Sequence, residues 1–157
     1  WFSQTDADYN DFIRAMLADD VEAMNEYMNR VAFSTFSYFD TGRNSYKEEP
    51  ERFYHGFVLG LMVDLQDRYF ITSNRESGFG RYDVILEPKK PEKDDAIILE
   101  FKVFNGRRES NLEDTVEAAQ RQIEEKQYAA QLKARGIAPD HIRSYGFAFQ
   151  GKKVLIG

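Results

Sequence analysis

The chain has 157 residues, enough for one domain with a closed core, and 42% are apolar, with 13 Phe and 9 Tyr, which excludes a disordered chain. It holds no cysteine, so disulfides, zinc–thiolate sites, iron–sulfur clusters and a Cys nucleophile are excluded, and a cytoplasmic location is the expectation. A net charge of −6 argues against a protein that coats nucleic acid generally, and no apolar run approaches the ~18 residues of a membrane span, so no membrane partner is expected.

The acidity is uneven: residues 1–30 carry seven acids against Arg14 and Arg30, so five of the six net negative charges fall there. Residues 6–18 read as a short amphipathic helix with Phe12, Ile13, Met16 and Leu17 on one side. Asp19 and Asp20 open a second helix running to about Phe36, with Val21, Met24, Met28 and Val31 as its apolar stripe. This lead-in, residues 1–40, is expected to pack on a core formed by residues 41–157. A start at Trp1 rather than Met suggests the C-terminal part of a longer protein.

Residues 37–48 read as a loop. A helix over 49–67 follows, with Pro50 in its first turn and Phe53, Phe57, Val58, Leu61, Met62 and Leu65 at helical spacing. Residues 68–74 and 81–87 read as strands on either side of a Gly-containing turn at 76–80. Residues 88–95 form a hairpin loop, and 96–104 is the most apolar strand. Asn111 is placed to cap one long helix over 112–135, ended by Gly136. Two strands close the chain, at 142–150 and 154–156.

Side chains alternate across a strand. In 96–104 one face carries Ile97, Leu99, Phe101 and Val103, whereas the other carries Ala96, Ile98, Glu100, Lys102 and Phe104. Two opposite charges thus share one face of an apolar strand, where an unpaired charge is costly. The preceding strand repeats the oddity, with Asp83 between Arg81 and Ile85. If the two strands pair as a hairpin, Asp83 lies beside Glu100. On residues alone the trio Asp83, Glu100 and Lys102 has two readings: a divalent-metal site, or a buried ion-pair triad that only supports the sheet.

Asp83…Glu100-x-Lys102 on adjacent strands resembles the signature of the PD-(D/E)XK nuclease superfamily. The surroundings strengthen it: Glu51-Arg-Phe-Tyr54-His55-Gly56, Ser73-Asn-Arg-Glu-Ser77-Gly78-Phe-Gly80-Arg81-Tyr-Asp83, Ile98-Leu-Glu100-Phe-Lys102, and Ala118-Ala-Gln-Arg-Gln122-Ile123-Glu-Glu-Lys126-Gln-Tyr128. Together they resemble the bacterial branch found C-terminal to an AAA-type ATPase-like domain. The resemblance implies an α/β (α+β) restriction-endonuclease-like core, a central mixed sheet flanked by helices.

It also implies Mg²⁺ or Mn²⁺ as cofactor and nucleic acid as partner, DNA ahead of RNA, with an N-terminal ATPase-like domain in the same chain. Asp83 and Glu100 are then the metal ligands, with Glu51 as an outer ligand, or alternatively as an acid favoured at a helix N-terminus. Lys102 and Gln122 complete the catalytic set. His55, one turn after Glu51, Arg81 and Lys126 are candidate substrate contacts; for His55 a half-buried, hydrogen-bonded structural role is preferred. Tyr128 is a poor candidate, since related nucleases place the helix tyrosine four residues after the glutamine and here it is six. The implied activity is metal-dependent phosphodiester hydrolysis. Its rival is a catalytically silent binding or regulatory module of the same fold. No Gly-rich Walker loop occurs, which argues against an ATPase in this segment.

Overall fold

A computed structural model describes residues 11–36, 49–76 and 81–157, with backbone alone for residues 35, 36, 49–53, 74–76, 81 and 82. The expected loop at 37–48 lies outside the described residues, as do positions 77–80 of the expected turn. The helices are α1 (11–17), α2 (Val21–Phe36), α3 (Glu49–Leu61), α4 (Leu112–Glu125) and α5 (Tyr128–Ala134). The strands are β1 (Tyr69–Glu76), β2 (Arg81–Pro88), β3 (Ala96–Val103), β4 (Ile142–Gln150) and β5 (Lys153–Ile156).

The five strands form one mixed sheet in the order β1-β2-β3-β4-β5. Neighbours pair antiparallel except β3 and β4, which are parallel. A parallel pair needs a crossover, and α4 and α5 supply it. Strand alternation then assigns each helix layer its partner. Val84, Leu86, Ile97, Leu99, Phe101, Tyr145, Phe147 and Phe149 join the larger core, with Phe12 and Met16 of α1, Met24 and Met28 of α2, and Tyr54, Val58 and Leu61 of α3. Aromatic stacking fills its centre: the Tyr54 and Phe149 rings lie 4.2 Å apart, and those of Phe101 and Phe147 4.8 Å. On the opposite face Ala96 and Ile98 meet Ile123 of α4, Leu132 of α5 and Ile137. The mixed sheet flanked by helices is the expected architecture.

Two helices differ from expectation. The helix from Glu49 ends at Leu61 and tightens into a 3₁₀ turn, Met62–Leu65, whose i,i+3 spacing keeps both Met62 and Leu65 buried. The expected single helix over 112–135 is two helices, broken at Gln127, which adopts left-handed backbone angles (φ 55°, ψ 30°). No Gly or Pro marks that break. The flanking cap signals are as read. Asn111 accepts a hydrogen bond from the Asp114 amide at 2.9 Å. At the far end Gly136 (φ 93°) lets its own amide reach the Lys133 carbonyl and the Ile137 amide reach Leu132, a Schellman closure.

The β5 edge is sealed by side chains. Asn25 of α2 both donates to the Ile156 carbonyl and accepts from the Ile156 amide, each at 2.8 Å. Asn29 does the same with Val154, at 2.7 and 3.0 Å. Four helical residues rise ~6 Å and two strand residues ~6.6 Å, so the two periods match. The strand's outer polar groups are thereby satisfied. At the end of α1, Arg143 of β4 donates to the Met16 and Leu17 carbonyls at 3.1 and 3.2 Å.

Gly146 of β4 allows α4 to lie against the sheet. A Cβ there would sit 2.9 Å from both the Ala119 Cβ and the Val116 carbonyl oxygen. Gly146→Ala is therefore expected to lower stability by about 1–3 kcal/mol, as overpacking does. Denaturant titration checks this, and an unchanged midpoint would contradict the close approach.

Candidate active site

Register brings the two acids together. In the β2–β3 pair Asp83 stands directly opposite Glu100. Both are sealed from solvent, at 1% and 0% exposure. Like charges opposed across strands destabilise a sheet, and burial makes the repulsion worse. The counter-charge comes from the end of α4. Lys126 Nζ donates to Asp83 Oδ2 at 2.8 Å and lies 3.5 Å from Glu100 Oε2. The Tyr128 hydroxyl donates to the same Asp83 oxygen at 2.5 Å.

Gln127 explains how both reach it. In a continuous helix, residues two apart point to opposite sides. The left-handed turn at Gln127 resets the direction, so Lys126 and Tyr128 converge on one carboxylate. A non-glycine residue in that conformation stores about 1–3 kcal/mol of strain. Tyr128, a poor candidate by its spacing from Gln122, thus lies within hydrogen-bond distance of Asp83. The sequence carried no signal for the break.

Burial, reinforced by Asp83, pushes the Glu100 carboxyl up to about 7, against the opposing pull of Lys126 and Lys102. Burial and the hydrogen bond to Asp83 push Tyr128 up to about 12. For Lys126 burial works downward, but the bond to Asp83 and the charge of Glu100 outweigh it and hold the ammonium above its ordinary range. Lys102 lies half-buried two residues on from Glu100, on the same strand face.

Three buried polar atoms here have no hydrogen-bond partner among the described residues, Asp83 Oδ1, Glu100 Oε1 and Gln122 Nε2, while Glu100 Oε2 lies in the 3.5 Å ion pair with Lys126. Unpartnered carboxylate oxygens are the hard donors that Mg²⁺ or Mn²⁺ takes. No group of three or more His, Cys, Asp or Glu gathers among the described residues, so the donor set there is the carboxylate pair. Such an ion keeps several waters, and two carboxylates fit it.

A model of the PD-(D/E)XK nuclease superfamily matches residues 49–157. The chain belongs to this superfamily. No curated protein and no solved structure matches it. Membership makes nuclease-type chemistry, with the divalent ion typical of these enzymes, the frame for the site.

Within the PD-(D/E)XK core the other expected residues fall as follows. Gln122 is buried on α4, on the Glu100 side. His55 sits on α3, with Nε2 2.8 Å from Ser73 Oγ and its ring edge-on to Phe101. Phe101 and Ser73 belong to the sheet face away from Glu100, so His55 does not join the two acids there. Burial lowers its pKa, and the charge of Asp83 opposes that. Glu51 lies in α3 and Arg81 opens β2, but both side chains lie outside the described residues. Among the described residues, no helix is long and apolar enough to cross a membrane.

The raised Glu100 pKa has a consequence for stability. The folded state holds that proton up to about pH 7, whereas the ordinary value is 4.5. Stability is then full below the ordinary value and falls as pH rises through about 7. In chelator-containing buffer the loss is expected to be about 3 kcal/mol between roughly pH 4 and pH 8, and to vanish in Glu100→Gln. Denaturant curves across that range decide; equal pH slopes in the two proteins would contradict it.

Proposed function

We propose that the chain is a Mg²⁺- or Mn²⁺-dependent nuclease that hydrolyses phosphodiester bonds of nucleic acid, DNA ahead of RNA. The observation that carries this reading is the opposed pair Asp83 and Glu100, buried in a superfamily sheet with Asp83 Oδ1 and Glu100 Oε1 lacking a hydrogen-bond partner among the described residues. A buried pair kept only for structure would be expected to have those oxygens hydrogen-bonded.

Asp83 and Glu100 hold the ion, with Glu51 and the Phe101 carbonyl as further donors. When bound there, the ion would supply a lowered water pKa and positive charge against the phosphate. Lys102 orients the attacking water and adds positive charge beside the scissile group. Gln122, on the same side of the sheet, positions substrate or water through its amide. Arg81, at the start of β2, contacts the phosphate backbone.

The purified chain is expected to cleave DNA in Mg²⁺ or Mn²⁺ and to stop in chelator. Asp83→Ala should abolish cleavage, and Lys102→Ala should slow it by about 10²–10³-fold, as loss of one charge-stabilising group does. Gel assays on plasmid DNA, linear DNA and RNA read this out. A folded wild type that cleaves none of them in either metal rejects the nuclease reading and favours the silent module.

A further inference from the structure

Lys126 occupies an unusual position for a lysine. Its ammonium bridges two acids that are closed to solvent, 2.8 Å from Asp83 and 3.5 Å from Glu100, while its own side chain remains 14% exposed. The carboxylates are fixed in the middle of paired strands. Lys126 by contrast stands at the C-cap of α4, next to the left-handed turn at Gln127, on a flexible four-carbon stem. The acids are thus carried within the strand ladder, and the ammonium on a stem with four rotatable carbons.

Resting on the metal-site reading above, we infer that Lys126 is a resident counter-cation that stands in for the divalent ion and is displaced when the ion binds. Without metal, the opposed acids need positive charge, and Lys126 supplies it from the helix end. A divalent ion on the same carboxylates and an ammonium at hydrogen-bond distance repel in a buried setting, so each weakens the other's hold and the two compete for the pair. The cation on the flexible stem is the one that leaves. Tyr128 keeps its hydrogen bond to Asp83 Oδ2, so the acid stays oriented while its salt bridge is exchanged. Lys126 thereby weakens metal affinity while protecting the metal-free fold. A lysine serving only to orient the carboxylates would do the opposite and strengthen metal binding.

Two measurements on the whole chain test this. In Lys126→Met, which keeps the apolar stem, Mn²⁺ is expected to bind about tenfold tighter or more by titration calorimetry, and Mn²⁺ to raise the thermal midpoint more than in wild type. The second needs no variant. The Lys126 amine of wild type is expected to be protected from acetylation in chelator and to become reactive in Mn²⁺, with exposed Lys133 as the unchanged reference, read by mass spectrometry. Equal or weaker Mn²⁺ binding by Lys126→Met, or acetylation of Lys126 that Mn²⁺ does not change while calorimetry shows the ion bound, overturns the displacement. If neither protein binds Mn²⁺, the metal-site reading itself falls, and this inference with it.

Discussion

Asp83 and Glu100 face each other across β2 and β3 with almost no access to water, and the surrounding structure answers the charge problem they create. Two ionised carboxylates cannot remain so placed without a cation. Lys126 provides one from α4, with Lys102 close by on β3. The hydroxyl of Tyr128 adds a donor. Glu100 answers the same problem by holding its proton to about pH 7. The pair is stable enough to fold around and still leaves Asp83 Oδ1 and Glu100 Oε1 without a hydrogen-bond partner among the described residues.

The rest of the fold holds that pair still. One sheet face is filled by stacked aromatics from α3, β3 and β4, which leave little room for the strands to slide. On the other face Gly146 lets α4 settle close to β4, and this sets how far Lys126 must reach. The helices before the superfamily match are part of this packing. Asn25 and Asn29 close the β5 edge, and Arg143 ties β4 to the end of α1. Residues outside the matched region thus complete the hydrogen bonding of strands inside it.

Much of this was legible in the chain, because the signals involved are local. Alternation along 96–104 and 81–87 separates core-facing from charge-bearing positions without any knowledge of pairing. The Asn111 cap and the Gly136 stop are written in single residues, and both form as read. The break at Gln127 was not legible. Its residue type has no preference for left-handed backbone, and the contacts its neighbours Lys126 and Tyr128 make with Asp83 are tertiary. The face taken by His55 was also hidden. Its helical spacing from Glu51 says nothing about which sheet face α3 covers.

By itself the sequence determined the composition of the candidate site: an acid in each of two strands, a lysine two residues on, a glutamine on the following helix, and an order of elements that suits a mixed sheet. The tertiary structure alone decided the pairing. It set Asp83 opposite Glu100 rather than one residue away, turned Lys126 and Tyr128 onto the same oxygen, and carried His55 to the other side of the sheet. The reason is range. Periodicity acts over two to four residues and leaves its mark in the sequence. Register and helix docking join residues 45 positions apart at Asp83 and Tyr128 and 131 apart at Asn25 and Ile156, and only the packed chain brings those together.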